Sequence, residues 1–183
     1  MFFFSILNVQ SSVLDYKSKQ LFSKDCSKDS KQFVVKYVFD GDTVLVENVT
    51  AYGRVGVSAN KKIRLLGIDA FELEQNQYGP RGKEFLSMLV SNKNVCIETD
   101  VTEKDIYNRT LGYVFINSLF INAELLKNGL AILNDFPPNI KYISRLKKAQ
   151  RYARENMSGI WKEHNYIKET PSQWRHEHPY TKK

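Results

Sequence analysis

Three separated segments of this 183-residue chain carry charged groups that a hydrophobic core does not require. The first is Asp40-Gly41-Asp42-Thr43. The second is Arg64 followed by Asp69 and Glu72. The third runs from Asp100 through Asp105 and Tyr107 to Asn108-Arg109. Carboxylates are hard oxygen donors for a divalent cation, and planar guanidinium groups match phosphate oxygens with paired hydrogen bonds. Acids and arginines gathered in one place therefore suit the joint binding of a metal and a phosphate. Taken singly, each segment has a plainer account. Asp40 and Asp42 are ordinary turn formers, Asp69 and Glu72 fit a solvated loop, and Asp105 with Arg109 fits a surface ion pair worth under about 1 kcal/mol.

These residues can act together only if the chain brings them together. Phe33–Phe39 and Thr43–Val49 are rich in β-branched and aromatic residues and read as two strands joined at Asp40-Gly41. Lys61–Ile68 reads as a third, largely buried strand. Arg64 lies inside it, and a buried guanidinium requires an anionic partner. Arg64 and Asp69 have opposite parity along a regular strand, and a bend or bulge at Gly67 could re-aim the carboxylate toward the arginine's side. Farther on come a helix from Pro80 to Val90, strands over Val95–Asp100 and Thr110–Ile116, and a turn at Asn117-Ser118 into Leu119-Phe120. Asn122 is placed as the N-cap of a helix over Ala123–Leu133, which Gly129 could end early. A last helix covers Ile140–Met157 and stops at Gly159. The expected fold is α+β, mainly β: a five-stranded OB-fold barrel with three helices.

Lys and Arg outnumber Asp and Glu by 27 to 20, a net charge of +7, which favours a polyanionic partner. Hydrophobic residues make up 42% of the chain, enough for a proper core. The two cysteines, Cys26 and Cys96, are too few for a disulfide framework and read as free thiols. No stretch reaches the roughly 20 apolar residues of a spanning helix. Phe2–Val9 is a short apolar run that suits targeting or membrane contact and leaves the compartment open. Residues 1–31 read as a mobile leader, 32–162 as the folded domain and 163–183 as a charged, flexible tail.

The combination DGDT, RLLGIDAFE, YGPRG and DIYNRTLGYVF, in this order between Gln32 and Trp161, resembles the staphylococcal nuclease (thermonuclease-like) family. The resemblance implies an OB-fold and calcium-dependent hydrolysis of DNA and RNA phosphodiesters, breaking the 5′ P–O bond and leaving 3′-phosphates. It implies Ca2+ ligands at Asp42, Asp69 and the backbone carbonyl of Ala70, and a water-activating glutamate at Glu72. Arg64 and Arg109 take the places of the phosphate-binding arginines, and Tyr107 that of a tyrosine contacting a terminal phosphate. Asp100 and Asp105 correspond to acids bracing this loop, and Asp40 to a group behind the metal. Asn108 stands where the family has glycine, a position whose positive φ asparagine tolerates. Phe71 replaces a proline and is expected to alter the loop or offer a stacking surface. Asn134–Pro138 replaces the pocket tyrosines, leaving Phe136 as the stacking candidate. The expected partner is single-stranded or locally open DNA and RNA, met by a monomer. The alternative is a nucleic-acid-binding or scaffold domain of the same fold without turnover, which would be expected to have lost these carboxylates or arginines.

Overall fold

The computed structural model describes residues 31–48, 60–162 and 167–179. The apolar run Phe2–Val9, most of the leader, Cys26 and the loop at Gly53 and Gly56 lie outside the described residues.

Strands β1 (Lys31–Val38), β2 (Thr43–Asn48) and β3 (Lys61–Leu65) form an antiparallel meander. The β1–β2 register slips between Val35 and Tyr37, a bulge that coils the sheet. β4 is the short segment Ile68–Ala70, and helix α1 spans Tyr78–Val90. β5 (Asn94–Glu98) pairs antiparallel with both β1 and β6 (Thr110–Ile116). β6 then pairs in parallel with β3 through Ile63, Arg64 and Leu65 against Thr110, Leu111 and Gly112. That pairing closes β3-β2-β1-β5-β6 into a five-stranded barrel, the architecture the resemblance implies. Closure removes both sheet edges and leaves an interior filled by Val35, Val44, Val46, Ile63, Leu65, Val95 and Ile97, all buried.

The barrel is followed by β7 (Leu119–Phe120), α2 (Ile121–Lys127), β8 (Ala131–Leu133), α3 (Ile143–Glu155), a 3₁₀ turn at Gly159–Lys162 and α4 (Pro171–Glu177). Several features differ from the sequence reading. The strand assigned to Lys61–Ile68 is two: Gly67 takes φ +76°, β3 ends at Leu65, and Ile68–Ala70 leaves the barrel to pair with β8. The helix assigned to Ala123–Leu133 ends at Lys127, because Gly129 adopts φ +63° and 131–133 becomes that partner strand. Asn122 is not a cap. It lies inside α2, fully buried, accepting from Val114 N at 2.9 Å and donating to the Leu66 carbonyl at 2.8 Å. Its amide thus prolongs the β3–β6 seam past Leu65.

Cys96 is disulfide-bonded rather than a free thiol. The three expected helices are present. The fourth, α4, falls in the stretch that composition assigns to a charged tail.

Candidate active site

The site forms where the Asp42 turn, the end of β3 and the start of β4 converge. Asp40 Oδ1 accepts from the Asp42 backbone N–H at 2.9 Å, fixing the turn. Asp42 Oδ2 accepts from Ala70 N at 2.7 Å and from Arg64 Nη1 at 2.7 Å. Asp69 Oδ1 accepts from Arg64 Nη2 at 2.8 Å. The guanidinium also donates to the Leu65 and Ile68 carbonyls, which flank the Gly67 bend. The bend therefore does what parity requires: it brings Asp69 to the arginine five residues before it. At position 67 a side chain would be strained by φ and would have to push Leu146 aside.

Asp42 and Asp69 are both buried. Burial pushes the Asp42 carboxyl up to about 7; Arg64 opposes this, and the neighbouring charge of Asp40 adds to it. A cation beside the buried Asp42 favours its ionised form. Among the described residues no group of three or more His, Cys, Asp or Glu is arranged as a metal site. Two carboxylates and the Ala70 carbonyl are instead a sparse, all-oxygen donor set. It fits a hard ion that fills its remaining positions with water and phosphate oxygens, so the residues present fit Ca2+.

Glu72 sits on the turn after β4. Its N–H points to Gln75 Oε1 at 3.3 Å, and its carbonyl accepts from Gln75 N. The first turn of α1 passes directly beneath. A Cβ on Gly79 would stand 2.0 Å from the Glu72 carbonyl oxygen, so only glycine allows this approach. Phe71 is buried with Ala153, Ile160 and Trp161 and is not the exposed stacking surface the sequence suggests.

The second half of the site is the 100–109 loop. Asp105 Oδ1 accepts from Tyr107 N and Arg109 N, each at 2.9 Å, and its Oδ2 holds Arg109 Nε at 2.6 Å. Asn108 takes φ +61°, the conformation expected of the residue in glycine's place. Asp100 accepts from the Tyr113 hydroxyl and the Lys141 N–H. Asn139 and Thr102 exchange two hydrogen bonds, clipping the loop to the segment that carries Phe136. Arg64, Arg109, Tyr107 and Phe136 line one cleft of about 420 Å³. Tyr107 is 75% exposed and Phe136 43%, so both rings are accessible. Asp42, Asp69 and Glu72 do not line this cleft. Arg64 joins the two halves, with carboxylates on one side and the aromatic cleft on the other.

One residue at the site escaped the sequence reading. Arg175, from α4, donates through Nη1 to Glu72 Oε1 at 2.8 Å and to Asp69 Oδ1 at 3.2 Å, and through Nη2 to Asp69 Oδ2 at 2.9 Å. Burial works to lower its pKa, but Asp69 and Glu72 outweigh that and hold the guanidinium more firmly protonated than usual.

A closed five-stranded barrel with an arginine–carboxylate cluster beside an aromatic cleft has the architecture of an OB-type protein. The chain belongs to the staphylococcal nuclease homologue family, whose model matches residues 62–163. It is 32% identical over 136 residues to a thermonuclease of Staphylococcus intermedius, covering 72% of this chain and 76% of the relative. It is 33% identical over 138 residues to a thermonuclease of Staphylococcus hyicus, covering 73% and 77%. It is 34% identical over 151 residues to an uncharacterized endonuclease of Haemophilus influenzae, covering 82% and 76%.

Proposed function

We propose that this protein is a calcium-dependent nuclease that hydrolyses phosphodiester bonds of single-stranded or locally open DNA and RNA. In this reading the 5′ P–O bond breaks and 3′-phosphates are left. The observation that carries it is Arg64, fixed by Asp42 and Asp69 at 2.7 and 2.8 Å while lining the cleft that also contains Arg109. Such a guanidinium is pre-oriented toward a phosphate and needs no reorganisation when charge develops. The similarity to two thermonucleases supports the same reaction class.

Asp42, Asp69 and the Ala70 carbonyl would hold calcium, which when bound supplies positive charge against a phosphate oxygen. Glu72 takes the proton of the attacking water as general base. Arg64 and Arg109 donate hydrogen bonds to the phosphate oxygens as negative charge accumulates. Asp105 keeps Arg109 in place, and Asp40 does the same for Asp42. Tyr107 contacts a terminal phosphate, and Phe136 offers a face to a base.

The test is cleavage of a fluorescent single-stranded oligonucleotide across a calcium titration, with a chelator control and Glu72→Gln. Cleavage should rise with calcium and vanish in both controls. Salt-sensitive binding without turnover would overturn the reading in favour of a binding domain.

A further inference from the structure

The carboxylates assigned to metal and water already have a cation. Arg175 holds both oxygens of Asp69 and one oxygen of Glu72. Asp69 and Glu72 lie 106 and 103 residues earlier in the chain, so no local geometry forces the contact. The helix that delivers it is locally encoded. Thr170 and Gln173 form a reciprocal capping box, and Pro171 occupies the first turn. Two further contacts dock this segment. Gln75 Nε2 donates to the Glu169 carbonyl at 3.0 Å, tying the start of α4 to the Glu72 turn. Ile167 packs against the cluster of Phe71, Ala153, Ile160 and Trp161.

We propose that α4 is an intramolecular plug, with Arg175 the resident cation of the catalytic carboxylates, which calcium must displace. This rests on the nuclease reading for the roles of Asp69 and Glu72. A guanidinium on Asp69 competes with a metal for the same oxygens, and on Glu72 it occupies an oxygen that the attacking water would need. The plug is built to be displaced. The Arg175 side chain is 36% exposed, whereas that of Asp69 is 4% exposed, so the arginine can leave to water while the carboxylate stays. A plug docked in roughly nine molecules of ten weakens apparent metal affinity about tenfold. Calcium binding and release of α4 are then one equilibrium, and by linkage each drives the other.

The experiment compares the full-length protein with Arg175→Gln and with Lys148→Gln, which removes a charge from an exposed position on α3. Calcium affinity is measured calorimetrically, and limited trypsin digestion at Lys168 and Arg175 is followed with calcium and with chelator. Arg175→Gln is expected to bind calcium about tenfold more tightly, and Lys148→Gln to match the parent. In the parent, calcium should speed cleavage at Lys168. Unchanged or weaker calcium affinity in Arg175→Gln, or a digestion pattern that calcium does not alter, overturns the plug. Oligonucleotide cleavage separates the two readings. Tighter calcium binding by Arg175→Gln with no cleavage by any form leaves the plug standing and removes the nuclease. Calcium-stimulated cleavage with equal calcium affinities does the reverse.

Discussion

The amide of Asn122 holds the site's mounting, and its removal has a calculable cost. It accepts from Val114 N at 2.9 Å, and its Nδ2 donates to the Leu66 carbonyl at 2.8 Å and the Gly112 carbonyl at 3.4 Å. Gly112 O keeps the Leu66 N–H at 2.9 Å when the amide is lost. Val114 N–H and Leu66 C=O lose their partner in a region that water does not reach. Each unsatisfied buried group costs roughly 1–3 kcal/mol, so Asn122→Ala should lose about 3–5 kcal/mol once the vacated volume is included. For a chain of this size that lowers Tm by about 10 °C. Chemical denaturation followed by circular dichroism in chelator measures it, with Asn156→Ala as reference. Asn156 also donates to a carbonyl, that of Tyr152, but in an exposed position, and its loss should stay within about 0.5 kcal/mol. A cost below about 1 kcal/mol for Asn122→Ala would mean that water or a shifted backbone satisfies those groups and that Asn122 is not their essential partner. Because Leu66 immediately precedes the Gly67 bend, oligonucleotide cleavage should fall before global unfolding as the variant is warmed.

Asp105→Ala removes the acceptor for Tyr107 N, Arg109 N and Arg109 Nε together. Turnover at saturating calcium should drop about 10²-fold from a displaced guanidinium, with the circular dichroism spectrum unchanged. A near-normal rate would show that Arg109 is oriented by other means. The Asp42 carboxyl also predicts a pH dependence. Its pKa is raised from 3.8 to about 7 in the fold, mainly by burial, so the native state binds more protons than the unfolded chain between those values. In chelator, stability should therefore fall as pH rises from about 4 to about 7, by up to about 1.4 kcal/mol per pH unit, relative to Asp42→Asn. Parallel stability–pH curves for the two proteins would refute it.

Much of the site was legible because its geometry is local. The need of Arg64 for an anion, the parity conflict with Asp69 and the bend at Gly67 all lie within six consecutive positions, and the structure resolves them at Gly67 as parity requires. Asn108 was readable for the same reason, since its turn closes within the loop. What escaped was set by distant partners. β4 and β8 are three residues each, too short for any periodicity, and exist because they pair with one another. Asn122 has the composition of a helix cap, yet tertiary burial gives its amide a different task. Thr170-Pro171-Ser172-Gln173 carried a readable helix start. Nothing near it in sequence could say that Arg175 reaches Glu72.

The two arginines on the cleft come from β3 and from the entry to β6, and they adjoin only across the parallel seam of Ile63, Arg64 and Leu65 against Thr110, Leu111 and Gly112. That pairing is non-local, and each hairpin can form without it. A partly folded chain, or one still emerging from the ribosome, can hold its carboxylates near Arg64 while Arg109 remains elsewhere. The pairing of the two arginines on one cleft comes into being only when the barrel shuts. Recovery of cleavage during refolding should thus follow seam formation rather than the appearance of secondary structure.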